Sequence, residues 1–175
     1  MNILIISLPR TGSTELGKDI SFKHKLKYEC EPFNGGNRLF VNDDLSNIVL
    51  KTILFHLPIY VEESNRINWL IELSQNFNEV ILLSRRNLVA CAESWAYLQY
   101  NEKQNSFKAD TPYLWERTPN FDEEFNFIKK CNSELVYLSE KLNIPITYYE
   151  DIYDENDSNR LRKGNRFDFS KKRLR

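Results

Sequence analysis

The residues best suited to chemistry lie near the start of the chain, in the run Leu8-Pro9-Arg10-Thr11-Gly12-Ser13-Thr14. It follows Asn2–Leu8, an apolar stretch with three isoleucines that reads as a fully buried strand. It leads into Ser13–Ile20, which can begin a helix. Backbone N–H groups at a helix start have no partner within the helix and point outward. With the helix dipole they form a ready anion site. Gly12 lets backbone approach a phosphate closely, Ser13 and Thr14 add hydroxyl donors, and Arg10 adds a guanidinium suited to an oxyanion. A plain strand-to-helix turn with a capping hydroxyl would use the same residue types. The run is not a Walker A loop, which needs Gly, four residues, then Gly-Lys-Ser/Thr.

Several elements must position this loop. Leu26–Cys30 and Asn47–Phe55 read as further strands, with a turn-rich segment from Pro32 to Asn37 between them. Glu62–Phe77 carries Ile67, Leu70, Leu73 and Phe77 near helical spacing. Glu79–Ser84 is another buried strand, and Asn87–Tyr100 a helix. Asn101–Asn120 is polar with interspersed aromatics and reads as a loop or lid. Phe121–Leu142 is the clearest helix, with Phe121, Phe125, Ile128, Cys131, Leu135, Leu138 and Leu142 stepping by three or four. Ile144–Tyr149 is the last strand. This order predicts one α/β domain over residues 1–175, a three-layer fold with a central, mainly parallel sheet flanked by helices.

The 175 residues carry a net charge of −1, with 41% hydrophobic and 28% charged residues, as in ordinary globular proteins. That balance argues against a general attraction to nucleic acid or anionic membrane. Charge is uneven, however. From Arg160 to Arg175 there are eight basic residues against one acid, Asp168. This segment reads as a solvated tail, or as a source of cations for a phosphate on a ligand. Cys30, Cys91 and Cys131 are an odd, widely spaced set that suits neither a disulfide framework nor a zinc cluster, and no metal is expected. Cys91 and Cys131 fall on apolar helix faces. No signal peptide or membrane-length apolar run is visible, so a reducing, cytoplasmic setting is expected.

The loop Pro9-Arg10-Thr11-Gly12-Ser13-Thr14 resembles the 5′-phosphosulfate loop of sulfotransferases that use 3′-phosphoadenosine 5′-phosphosulfate (PAPS), a P-loop α/β family. Val80–Ser84 followed by Arg86-Asn87, with Ser94 eight residues after Arg86, resembles that family's 3′-phosphate motif. An arginine at a strand end and a serine about two helical turns on can face one phosphate. Glu31-Pro32-Phe33 resembles the Glu-Pro pair of carbohydrate and bacterial members, and Arg162-Lys163-Gly164 the Arg-Lys-Gly loop of cytosolic members. The chain is shorter than typical members, notably after Ser94.

The resemblance implies sulfuryl transfer from PAPS to a hydroxyl of a small-molecule or carbohydrate acceptor, with adenosine 3′,5′-bisphosphate as product and no metal. Arg10 would stabilise developing charge, Thr11 to Thr14 hold the 5′-phosphate, and Arg86 and Ser94, with Arg162, Lys163 and Gly164, the 3′-phosphate. Glu31 is the first choice for the base and His56 the second. His56-Leu57-Pro58 is similar to the end of a catalytic Lys-Thr-His-Leu-Pro run, but here Lys51-Thr52 stands three residues further away. Lys51 would add positive charge near the sulfuryl group. Tyr97, Tyr100, Phe107, Tyr113 and Trp115 are candidates for stacking on sugar or adenine rings, or for core packing. The competing readings are a degenerate P-loop kinase or nucleotide hydrolase, a shortened relative that binds nucleotide or glycan without turnover, and, more remotely, nucleic-acid binding through the basic tail.

Overall fold

The structure is a computed structural model, and it describes residues 1–34, 45–58, 60–103 and 118–153, without the side chains of residues 101–103. Among the described residues, five strands form one sheet: β1 (Ile3–Ser7), β2 (Lys27–Cys30), β3 (Ile48–Ile53), β4 (Glu79–Ser84) and β5 (Ile146–Tyr148). Their spatial order is β2-β3-β1-β4-β5, and every pairing is parallel. The helices are α1 (Ser13–His24), α2 (Arg66–Ser74), α3 (Leu88–Lys103), α4 (Phe121–Leu142) and the short α5 (Tyr149–Ile152).

The period-two alternation of β1 divides the core. Leu4, Ile6 and Leu8 pack with Leu50 and Leu82, under Leu70 of α2 and Cys131, Leu135 and Leu138 of α4. Ile3 and Ile5 pack with Val49, Ile81 and Leu83, under Leu16 and Ile20 of α1 and Ile152 of α5. Helices therefore cover both faces, and the apolar runs without alternation are explained by strands buried on both sides. This is the three-layer α/β architecture expected, with a sheet that is wholly parallel.

The same division creates a crevice. The connection after β1 leads to α1 on one face, and the connection after β3 leads to α2 on the other. β1 and β3 are neighbours, in register Ile5↔Lys51. Adjacent strands whose connections leave in opposite directions open a gap at their carboxyl ends, where open parallel sheets bind ligands.

Most elements shift by one to three residues at an end, and two change more in character. Glu62–Phe77 becomes a 3-10 turn (Glu63–Asn65) followed by α2, which ends at Ser74. The chain must then re-enter the sheet: Phe77 N–H bonds Ser74 O, and Asn78 and Asn2 exchange backbone-to-side-chain hydrogen bonds of 2.8 and 2.9 Å. The last strand is shorter than Ile144–Tyr149. Asn143, with φ 54°, closes α4, where Ile144 N–H bonds Ser139 O, and Tyr149 already begins α5. Gly35, Gly36 and most of the expected lid, including Phe107, Tyr113 and Trp115, lie outside the described residues, as does the basic segment 160–175. Among the described residues, no helix is long and apolar enough to cross a membrane.

Leu135 sits at the centre of the α4 face and is fully buried. Leu135→Ala should lower unfolding stability by about 2–5 kcal/mol, read as a reduced midpoint in urea at an unchanged slope.

Candidate functional site

A cavity of about 890 Å³ occupies the crevice. It is lined by Pro9–Glu15 from the loop after β1, Glu31 after β2, Lys51, Ile53, Phe55 and His56 from β3 and its exit, Arg85 after β4, and one side of α3. Residues 9–14, 31, 51, 56 and 94, chosen from sequence as chemical candidates, all line this one space.

The loop is held by its surroundings. Leu8 N–H bonds Leu83 O at 3.1 Å, extending the β1–β4 pairing. The Thr11 hydroxyl donates to Leu8 O at 2.9 Å. The Cys91 thiol donates to Pro9 O at 3.0 Å. Burial pushes that thiol up to about 12, so it keeps its proton and stays a donor. Arg10 Nε donates to Ser94 Oγ at 2.8 Å. Arg10 and Gly12 both have left-handed backbone, at φ 59° and 69°, and Thr11 between them does not. Such alternation turns successive N–H groups toward one concavity, and the helix-start amides of Ser13, Thr14 and Glu15 complete it. Left-handed backbone costs a non-glycine residue about 1–2 kcal/mol, which the fixed contacts around Arg10 offset.

Gly12 has a second reason to be glycine. A Cβ there would stand 3.0 Å from the Tyr149 ring and 3.1 Å from the Tyr153 ring. The Tyr153 hydroxyl donates to Gly12 O at 3.4 Å. The space beside Gly12 is thus filled by α5 and its next residue, and Tyr149 also lines the cavity with the loop. Thr11 can contribute only through its backbone. Its hydroxyl is spent on Leu8 O, leaving its backbone N–H as the group it can offer a ligand.

Arg86 and Ser94 are not brought together. Arg86 makes a paired contact with Asp151, 2.7 and 2.8 Å, and lies over the Tyr148 ring at 4.4 Å. This carboxylate raises the guanidinium's already high pKa. Arg86 does not line the cavity; the preceding Arg85 does, with its guanidinium 4.8 Å from the Tyr149 ring centre. β4 ends at Ser84, and side chains alternate faces there, so neighbouring arginines diverge. Sequence reasoning missed Arg85; its signal was the doubled Arg85-Arg86 at a strand end. Arg162, Lys163 and Gly164 lie outside the described residues.

Glu31, Lys51 and His56 form one cluster. Lys51 is 2% exposed, and its ammonium is paired with Glu31 Oε1. The other oxygen, Oε2, stands 3.6 Å from His56 Nδ1, an atom with no hydrogen-bond partner. Glu31 takes left-handed backbone at φ 50°, and its N–H bonds Lys51 O at 2.7 Å, which directs the carboxylate across β3. The three extra residues between Thr52 and His56 are absorbed by a turn, in which His56 N–H bonds Ile53 O. Burial lowers the His56 pKa below its usual 6.5; Glu31 opposes the shift and Lys51 adds to it. His56 is therefore a neutral imidazole at pH 7.

No model of a known protein family matches the chain, and no curated protein matches it.

The electrostatics of the cluster have a direct test. The two histidines, His24 and His56, can be titrated by NMR, with His24→Gln to assign them. His56 should titrate below 6.5, and Glu31→Gln should move it lower still, because the carboxylate that opposes the shift is gone while Lys51 remains. The sign carries to stability. A histidine whose pKa is lower folded than unfolded binds fewer protons when folded, so its contribution is present above pH 6.5 and is lost as pH falls toward the folded value. His56→Asn should flatten that part of the stability profile.

Proposed function

We propose that this chain is a sulfotransferase of the P-loop type, moving a sulfuryl group from PAPS to an acceptor hydroxyl. The observation that carries the reading is the single cavity that joins the anion-directed loop Pro9–Thr14 to the Lys51–Glu31–His56 cluster. One half suits the phosphates of a nucleotide, and the other a hydroxyl that must lose a proton.

The donor set fits such a nucleotide. Helix-start amides, the Ser13 and Thr14 hydroxyls and the Arg10 guanidinium are hard anion ligands at one end of the cavity. Arg85 and Ser94 supply a second cation and a hydroxyl, the chemistry a 3′-phosphate needs. Arg85 takes the role that the sequence motif assigned to Arg86, whose guanidinium is held by Asp151. When bound, PAPS supplies the transferable sulfuryl group and a phosphate leaving group.

The protein's part is position, charge and a proton acceptor. Arg10, fixed by Ser94, offers N–H groups to negative charge that grows as the bond to phosphate breaks. Lys51 adds an ammonium that is buried and already paired, so it needs no rearrangement to act. Glu31 was the first choice for the base, but one of its oxygens is engaged by Lys51 and the other faces His56. The better acceptor is His56. With Nδ1 protonated toward Glu31, Nε2 is left to take the hydroxyl proton. Glu31 then positions the imidazole and steadies it once charged.

A second reading is favoured by the Arg86–Asp151 pair, which leaves the sequence-derived 3′-phosphate motif unassembled: a relative that binds nucleotide or glycan without turnover.

Adenosine 3′,5′-bisphosphate should bind without added metal and raise the melting temperature, with ADP doing so less. Arg10→Ala and Arg85→Ala should each weaken binding by roughly tenfold or more, and Arg86→Ala by much less. Equal responses to the bisphosphate and ADP would remove the case for a 3′-phosphate site. For transfer, radiolabelled sulfuryl donor and a panel of hydroxyl acceptors separate the roles. His56→Asn should keep bisphosphate binding and lose transfer by about a hundredfold or more. Glu31→Gln should lose less and shift the acid limb of the rate profile to lower pH. Undiminished transfer by His56→Asn would return the base to Glu31, and no transfer by the native chain would favour the binding-only reading.

A further inference from the structure

Beyond the loop and the basic cluster, the cavity has an end that neither uses. α3 presents Ala90, Glu93, Ser94, Tyr97 and Leu98 to the space, a spacing of three and four that defines one helix stripe. Its other side, with Cys91, Ala92 and Ala96 fully buried, is small enough to pack closely on α4. Past Ser94 the wall becomes aromatic. Phe55 meets His56 edge-on at 4.9 Å between centroids, and Trp95 lies 5.7 Å from Phe55. Polar side chains interrupt this wall: Glu93, Gln99 and Thr118 also line the cavity.

Two polar atoms there are unsatisfied. Trp95 Nε1 and Thr118 Oγ1 are enclosed and have no hydrogen-bond partner. Buried donors are costly to leave unpaired, and such groups at a cavity wall are most simply explained by a ligand that pairs with them after a small side-chain rotation.

We propose that this end is the acceptor subsite and that its ligand is a saccharide. The inference rests on the sulfotransferase reading for the word acceptor, but not for the ligand chemistry. Pockets for flat apolar molecules are mostly apolar, with few polar groups. Here aromatic surface alternates with a carboxylate, an amide, a hydroxyl and an indole N–H. A sugar ring needs this mixture, since its C–H face lies on an aromatic plane while its hydroxyls seek donors and acceptors around the edge. The cavity volume, about 890 Å³, is near the upper end of the range for a single ligand, so a nucleotide and a sugar unit can share it. His56, beside Phe55, then stands at the border between the two, where a hydroxyl proton must be taken.

The experiment uses the full chain saturated with adenosine 3′,5′-bisphosphate, and separately without it. Cellotriose, chitotriose and an unsulfated chondroitin hexasaccharide are the saccharide probes, and 2-naphthol is the flat apolar alcohol. Binding is read by saturation-transfer NMR and by tryptophan fluorescence. At least one saccharide should bind and change the fluorescence, and Trp95→Phe should abolish that change. Gln99→Ala, on the cavity side of α3, should weaken saccharide binding at least threefold while leaving bisphosphate affinity intact, which guards against misfolding of the Trp95 variant. Binding of 2-naphthol with no saccharide bound, or of no probe to a chain that does bind the bisphosphate, would overturn the proposal. Saccharide binding by a chain that ignores the bisphosphate would uphold this subsite and sink the nucleotide reading.

Discussion

A strand-to-helix turn offers its amides to a ligand only when its backbone cannot fold back onto them. In this chain that constraint is met from two sides. α3 grips the turn through the Cys91 thiol on Pro9 O and Ser94 on Arg10, and Tyr149 and Tyr153 fill the space behind Gly12. The left-handed conformations of Arg10 and Gly12 persist because these contacts over-determine them. Without that brace the turn would be an ordinary helix start, and the cavity in front of it would have no fixed anion end.

The second end of the site follows from charge placed in a dry environment. A buried ammonium is expensive unless paired, and Lys51 is paired with Glu31. That pairing fixes the carboxylate, and the fixed carboxylate faces His56. The imidazole is kept neutral by burial, with one neighbour of each charge pulling in opposite directions. Neutrality and orientation are the two properties the proposed proton acceptor needs; burial favours the first, and the carboxylate held by Lys51 faces the ring. The parallel sheet brings the two ends together: β1 leads into the loop, β3 carries the lysine and leads to the histidine, and their connections part to leave room between.

Much of this was legible in the residues. Apolar runs marked β1, β3 and β4 as strands, with β1 and β4 read as buried, and the three-four stepping of Phe121–Leu142 matched α4 at both ends. The loop, Glu31, Lys51, His56 and Ser94 stand out by residue type and spacing alone, and all line one cavity. The misses have physical causes. Arg85 and Arg86 are equivalent as text, and the partners that hold Arg86 away from the cavity, the Asp151 carboxylate and the Tyr148 ring, come from far along the chain. α5 is a single turn whose order comes from Tyr149 and Tyr153 packing on Gly12, a contact with no local periodicity to betray it. The Cys91 strut is equally invisible, since its helix reads as apolar with or without the bond to Pro9. The Lys51–Glu31–His56 cluster joins three segments, so spacing alone could suggest its members but not their contact.

The central claim is that the amides after β1 hold the phosphate of a nucleotide. Its most direct measurement is a backbone amide NMR titration with adenosine 3′,5′-bisphosphate. The account predicts saturable downfield shifts concentrated at Gly12, Ser13 and Thr14, with the Arg10 and Arg85 side-chain N–H signals moving at the same ligand concentrations. Saturable shifts confined to other parts of the chain, or none at these three amides at millimolar ligand, would contradict it.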